Sequence, residues 1–250
     1  MSVNIKEAKA RTILSKSGIT GVDYCINPYT GCTHGCRYCY ATFMKRFTNH
    51  NEPWGSFVDV KINAPYILRK QLRRAQKGSI VISSVTDPYQ PLELRYEITR
   101  KCLAELIPYQ FSVDILTKSP LVCRDIEFFK QFKDIEVGIT ITTDEEKIRR
   151  IFEPKAPPIE ARIQTIKKLH EARICTYVFI GPLLPMNPEV LCEKLADYVD
   201  YVFIDRMNYI TKTRPLYKQY KLDGWLNREF SSGIIERLEK GFRGKKVNIC

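Results

Sequence analysis

Short apolar runs rich in β-branched residues alternate with stretches of helical periodicity along most of the chain, and this alternation limits the fold more than any other feature. The candidate strands are 22–26, 80–84, 112–117, 136–142, 176–181 and 199–204. The candidate helices are 64–75, 98–108, 122–132, 144–151, 159–172 and 188–198. Repeated strand-helix units of this kind pair their strands in parallel and cover the sheet with the helices. Six such units without a long linker predict one α/β domain over residues 1–250, with prolines punctuating element ends, as at Pro157, Pro158, Pro182 and Pro185. From about residue 206 the pattern is less regular: a polar, aromatic stretch at 207–225 precedes a last predicted helix near 232–240.

No apolar run approaches the roughly 20 residues of a bilayer span, so membrane insertion is not expected. The first residues are polar and charged, without the apolar centre of a secretory signal, which predicts a cytoplasmic protein. Nine cysteines is an odd count, and three of them fall within eight residues, which suits a metal site in a reducing compartment better than a disulfide framework. Cys25, Cys102, Cys123, Cys175 and Cys192 have no ligand spacing and read as small core residues, whereas Cys250 is terminal. The net charge of +12 attracts polyanions without naming one.

Chemistry in parallel α/β folds gathers where the strands end at their carboxyl side. The first predicted strand runs into Asn27-Pro28-Tyr29-Thr30-Gly31-Cys32-Thr33-His34-Gly35-Cys36-Arg37-Tyr38-Cys39-Tyr40, which holds three cysteines inside one glycine-bearing loop. Iron-sulfur cubanes usually take four thiolates, so three nearby ligands leave one iron open to an exogenous group. The same cysteines could instead hold zinc, closed by His34 or Cys25. His34, lying between two of the ligands, also reads as a residue that orders the loop.

The C-x3-C-x-aromatic-C arrangement after a first strand, with Tyr38 at the aromatic position, resembles the radical SAM superfamily. Asn27-Pro28-Tyr29-x-Gly31-Cys32, Val85-Thr86-Asp87-Pro88-Tyr89-Gln90-Pro91, Leu116-Thr117-Lys118-Ser119, and Glu153-Pro154-x-Ala156-Pro157 with Arg162 are similar, in order, to the branch containing spore photoproduct lyase. The resemblance implies a partial (βα)6 TIM-like barrel and a [4Fe-4S] cluster on Cys32, Cys36 and Cys39. It also implies S-adenosylmethionine on the open iron and reductive cleavage to a 5'-deoxyadenosyl radical that abstracts hydrogen. Ser84 and Thr86 would then lie by the cofactor's amino group, Lys118 and Thr140 by its carboxylate, with Asp87 either a cofactor contact or a turn residue. An electron donor such as a flavodoxin or ferredoxin is implied as a partner. Ser84 stands where the lyase carries its hydrogen-donating cysteine, so the thymine-dimer repair reaction is not expected to transfer.

Tyr89, Gln90, Glu93 and Arg95 read either as substrate contacts at the mouth or as helix-entry and ion-pair residues. The basic run Arg69–Lys77 reads as a solvated helix face. Between Arg206 and Lys221 five basic residues occur without an acid, interleaved with Tyr209, Tyr217 and Tyr220. Cations with aromatics hold unpaired bases, so nucleic acid is a candidate partner, against tyrosines that simply pack the barrel end. The function expected is hydrogen abstraction, with a nucleic-acid base as one candidate substrate. The alternatives are modification of a peptide or small metabolite, or a non-catalytic, zinc-stabilised nucleic-acid-binding module.

Overall fold

The computed structural model describes residues 3–250. Its strands are β1 (Asn4–Ala8), β2 (Leu14–Lys16), β3 (Tyr24–Ile26), β4 (Tyr29–Thr30), β5 (Phe57–Lys61), β6 (Ser79–Ile82), β7 (Ser112–Thr117), β8 (Ile135–Thr140), β9 (Cys175–Ile180), β10 (Tyr201–Ile204) and β11 (Lys246–Ile249). The α-helices are α1 (Ala64–Leu72), α2 (Glu93–Tyr96), α3 (Ile98–Leu106), α4 (Ile126–Phe129), α5 (Glu146–Phe152), α6 (Ile159–Glu171), α7 (Pro188–Leu195), α8 (Ile210–Gln219) and α9 (Arg228–Gly241).

The large sheet has the order β11-β10-β9-β8-β7-β6-β3-β2, and a small sheet has the order β1-β5-β4. In the large sheet every neighbouring pair is parallel except β2 with β3. The six predicted strands are β3, β6, β7, β8, β9 and β10, laid side by side in chain order. β2 and β11 end the sheet, so the barrel is partial, as the sequence led us to expect.

Burial explains why these runs could be recognised. In β7, Val113, Ile115 and Thr117 are buried, while Ser112, Asp114 and Leu116 are only half-buried, and β6 and β10 alternate in the same way. A sheet sealed on both faces would read as unbroken apolar runs. Here the outer face joins Leu103 of α3 and Ile163 and Ile166 of α6 in one core. The concave face stays partly open and carries polar groups: Tyr177 donates to Asp114 at 2.7 Å, and Tyr201 donates to Glu136.

Besides β1, β2, β4 and β5, which the sequence reading did not include, the structure departs from expectation in three places. The segment from about residue 206 folds into α8, a 3-10 turn at Asp223–Leu226, α9 and β11, so it is more regular than the sequence suggested. β11 adds a seventh parallel strand to the predicted six. Its short Lys-Val-Asn-Ile run is exposed at both ends and half-buried between them, and leaves little apolar signal. The predicted helix 122–132 is a 3-10 turn at Pro120–Asp125 followed by the single turn of α4. There the buried Asp125 carboxylate accepts from Tyr89, Arg100 and Arg124, which fixes the turn locally. Among the described residues no helix is long and apolar enough to cross a membrane.

A second, smaller apolar cluster lies under the cysteine loop. Tyr38 packs there with Ile148, Ile151 and Phe152 of α5, Leu184 and Tyr217 of α8. This gives α8 a structural task, and it answers the question of the tyrosines separately for each: Tyr217 is a core residue, whereas Tyr209 and Tyr220 are exposed.

Candidate functional site

The cysteine loop leaves β4 through Gly31, whose φ of +87° is a conformation that favours glycine, and the Phe57 carbonyl oxygen would lie 2.4 Å from any Cβ there. Gln90 then templates the loop: its side chain accepts from the Thr33 amide at 3.0 Å and donates to the Gly31 carbonyl at 3.3 Å. The Thr86 hydroxyl donates to the same carbonyl at 2.5 Å. On the far side the Arg37 amide donates to Phe152 O at 2.8 Å and the Lys155 amide to His34 O at 3.3 Å. The loop is thus held by the ends of β6 and of α5, which are distant in sequence.

One cavity is lined by Cys32, Cys36 and Cys39 together with Ser84, Thr86, Asp87, Lys118 and Thr140. All eight residues singled out in the sequence therefore meet at the carboxyl ends of β6, β7 and β8. Their roles in the protein's own framework differ. Asp87 accepts from Tyr89 N at 2.9 Å and Thr117 Oγ1 at 2.6 Å through one oxygen, and from Lys118 N at 2.9 Å through the other. Both oxygens are engaged, so Asp87 clamps the end of β6 to the end of β7, which is its turn role extended. Ser84 Oγ accepts from Asn27 at 3.2 Å. Tyr89, Gln90 and Glu93 are buried in internal networks rather than displayed at the mouth. Glu93, for example, accepts from Thr99 N at 2.9 Å and from Arg124 at 3.0 Å.

A buried charge network not assigned a role from sequence lies behind the cavity wall. Glu153 and Arg162, both fully buried, pair at 2.6 Å. Glu153 also accepts from the Tyr38 hydroxyl and from Thr142 at 3.2 Å. Burial would raise the Glu153 carboxyl, but Arg162 and Lys118 overcome it and hold it down at about 2. Lys118 Nζ lies 3.9 Å from Glu153 and 5.8 Å from the Tyr38 ring centre. Lys118 thus faces the Glu153 oxygen that Arg162 does not take, and it also lines the cavity. The Glu153-Pro154 motif carried this information, but a proline-rich connection between helices is equally well read as a rigid spacer.

The model of the radical SAM superfamily matches residues 26–199. The chain belongs to the radical SAM superfamily. It is 37% identical over 208 residues to an uncharacterized protein of Methanocaldococcus jannaschii, across 82% of this chain and 78% of the relative. A second uncharacterized relative, from Acidianus two-tailed virus, is 32% identical over 249 residues, across 89% of this chain and 81% of that protein. The fold is similar to that of spore photoproduct lyase complexed with dinucleoside spore photoproduct, with a TM-score of 0.72, 14% identity, and coverage of 98% of this chain and 82% of that one. It is also similar to Streptococcus suis SuiB bound to S-adenosylmethionine, with a TM-score of 0.56, 15% identity, and coverage of 90% and 49%. At these identities the two structures bear on the fold alone.

For a radical SAM protein the family implies a [4Fe-4S] cluster and S-adenosylmethionine, and the donor set fits. Three cysteines of one loop line the cavity, and no fourth cysteine does. Burial pushes all three thiols above the ordinary range, Cys36 to about 12. Thiols in that state ionise when a metal centre supplies the compensating charge. His34 Nδ1 lies 3.5 Å from Asp87, consistent with ordering the loop. Among the described residues no three His, Cys, Asp or Glu side chains, the three cysteines included, form a group set to hold a single metal ion.

Proposed function

We propose that this protein is a radical SAM enzyme whose Cys32, Cys36 and Cys39 hold a [4Fe-4S] cluster, with S-adenosylmethionine bound at the ends of β6, β7 and β8. The observation that carries the reading is the convergence of all eight predicted residues, from four separate segments, on one cavity. When bound, the cluster supplies the electron that cleaves the sulfonium and yields a 5'-deoxyadenosyl radical. An external one-electron donor such as a flavodoxin or ferredoxin, in a reducing cytoplasm, completes the requirement.

The chain's own residues would bind and orient the cofactor. Lys118, with its side chain largely buried, offers a cation to a carboxylate, and burial strengthens that attraction. Thr140 is 3% exposed and lies on the same wall. Ser84 and Thr86 line the same cavity and would offer oxygens to an amino group, and Asp87 fixes Lys118 through its backbone amide. Lys118→Ala is expected to keep the iron and sulfide content of the wild type while weakening S-adenosylmethionine binding about 10-fold or more, the scale of losing one charge-assisted hydrogen bond. Calorimetric titration checks this, and an unchanged affinity would remove Lys118 from the site.

For the substrate, we propose a nucleic-acid base. The rim of the cavity supports this choice. Tyr40 and Tyr209, both lining the cavity and roughly two-fifths exposed, stack on one another at 6.2 Å. Phe43 and Phe47 continue the aromatic row, with Lys45 and Arg46 in the same 3-10 segment, Tyr40–Phe47. Exposed aromatics beside cations hold unpaired bases with little regard to sequence. Anaerobic reconstitution followed by measurement of 5'-deoxyadenosine, with and without single-stranded DNA or RNA, tests both levels. Production of 5'-deoxyadenosine without stimulation by either polynucleotide would retain the enzyme and discard the nucleic-acid substrate in favour of a peptide or small metabolite. A protein that takes up one zinc and no iron would discard the enzyme.

A further inference from the structure

The cavity is lined by two carboxylates, Asp87 and Asp205. Asp87 is committed to the framework through both oxygens. Asp205 is not. It follows β10, two strands along the sheet from β8 and so beyond the proposed cofactor contacts on β6, β7 and β8. In β10 Val202 and Ile204 are buried in the outer core, whereas Phe203 packs against Tyr177 and Phe179 on the concave face. The period of two places Asp205 on that concave face after Phe203.

The main chain fixes Asp205 from both sides, since its amide donates to Ile180 O at 3.0 Å and its carbonyl accepts from Leu183 N at 2.7 Å. Its Oδ1 accepts from Asn208 Nδ2 at 2.8 Å. The neighbouring Arg206 does not neutralise it, because that guanidinium donates to Ser231 Oγ at 2.7 Å and Ser232 Oγ at 3.1 Å on α9. Among the described residues no lysine or arginine forms an ion pair with Asp205, and burial raises its carboxyl above the ordinary range. Each carboxylate oxygen has two accepting sites, so both retain capacity for a ligand that brings N–H groups.

A net charge of +12 works against a polycationic peptide as that ligand, and the stacked Tyr40 and Tyr209 at the rim suit a flat ring. The bases differ in what they offer a carboxylate. Guanine carries two adjacent N–H donors on its Watson-Crick edge. Adenine and cytosine place a donor beside an acceptor, and thymine and uracil place one donor between two carbonyls that would face the carboxylate.

We infer that Asp205 is a specificity-determining residue that selects guanine, its carboxylate accepting from the two adjacent N–H groups of the base. The inference rests on the nucleic-acid reading above. An unpaired base can be read on this edge while it stacks on aromatic side chains.

The test compares oligothymidine single strands carrying one central guanine, adenine or cytosine with the unsubstituted strand, and the matching RNA set in oligouridine. Binding to the reconstituted protein with S-adenosylmethionine is read by fluorescence anisotropy, with 5'-deoxyadenosine measured alongside. The guanine strand is expected to bind about 10-fold or more tightly than the unsubstituted one, the scale of a charge-assisted hydrogen bond, and to give the most 5'-deoxyadenosine. In Asp205→Asn that advantage should disappear while iron content and S-adenosylmethionine affinity stay at wild-type values. Equal binding of all strands by the wild type, or a guanine preference kept in Asp205→Asn, overturns the inference and leaves the nucleic-acid reading standing. A weakened S-adenosylmethionine affinity in Asp205→Asn assigns the residue to the cofactor and overturns it as well. The wild-type comparison decides alone if the variant folds poorly. Binding of no strand, with 5'-deoxyadenosine formed on an arginine-bearing peptide, refutes the nucleic-acid substrate itself and the guanine contact with it.

Discussion

Cys36→Ala is expected to lack the visible absorbance of an iron-sulfur cluster and to form no detectable 5'-deoxyadenosine under anaerobic reducing conditions. The expectation follows from ligand count. A cubane normally takes four thiolates, and this loop provides three, so removing one leaves two irons without protein ligands. Cys36 has a second claim on the result, because it packs at the edge of the small core beneath the loop. Cys123→Ser is the matched control: Cys123 is half-buried and does not line the cavity, so that variant should load iron as the wild type does. Iron and sulfide assays on both variants decide the matter, and a Cys36→Ala protein with full iron content and cleavage activity contradicts the cluster assignment.

Arg162→Met should destabilise the protein by about 3–5 kcal/mol, because it strands the Glu153 carboxylate in a fully buried site. The double variant Arg162→Met with Glu153→Gln should recover part of the loss, since the stranded charge is then gone. The pH dependence has a definite sign. Glu153 is held near 2 against an ordinary value of 4.5, so its ionisation stabilises the fold above pH about 4.5. That contribution, about 3 kcal/mol, is lost as pH falls toward 2. Urea unfolding midpoints measured between pH 2 and 7 should therefore fall steeply on acidification for the wild type and more gently for Arg162→Met. Equal slopes would show that the pair does not set the acid response.

The parts of this molecule that sequence could reveal are those whose physics is local. Six strands were legible because their sealed faces are apolar with a period of two, as in β7, where Val113, Ile115 and Thr117 alternate with residues toward the open concave face. The cysteine loop was legible because its three cysteines are close in the chain. The cofactor wall was read through resemblance, since Lys118 or Thr140 alone looks like any polar residue at a strand end. β11 and the small sheet were not legible: β1 is mostly exposed, β4 has two residues, and β11 carries too few buried side chains to stand out. The Glu153 network was hidden for a different reason, because it also depends on Tyr38 and Lys118, which are distant in the chain. Tyr38 looked like an aromatic filler in a motif, and its hydroxyl contact with Glu153 appears only when the fourth and first strand ends are brought together.

That contact joins residues 115 positions apart, and the Arg37 amide reaches Phe152 across the same gap. The shape of the cysteine loop is consequently borrowed from chain that is synthesised much later. A zinc finger lets its metal gather an unfolded chain, so that binding and folding are one event. Here, under the proposed function, the loop would take its shape from contacts with the end of α5, and cluster loading would be delivery to a preformed cavity whose lining includes Tyr40 and Tyr209.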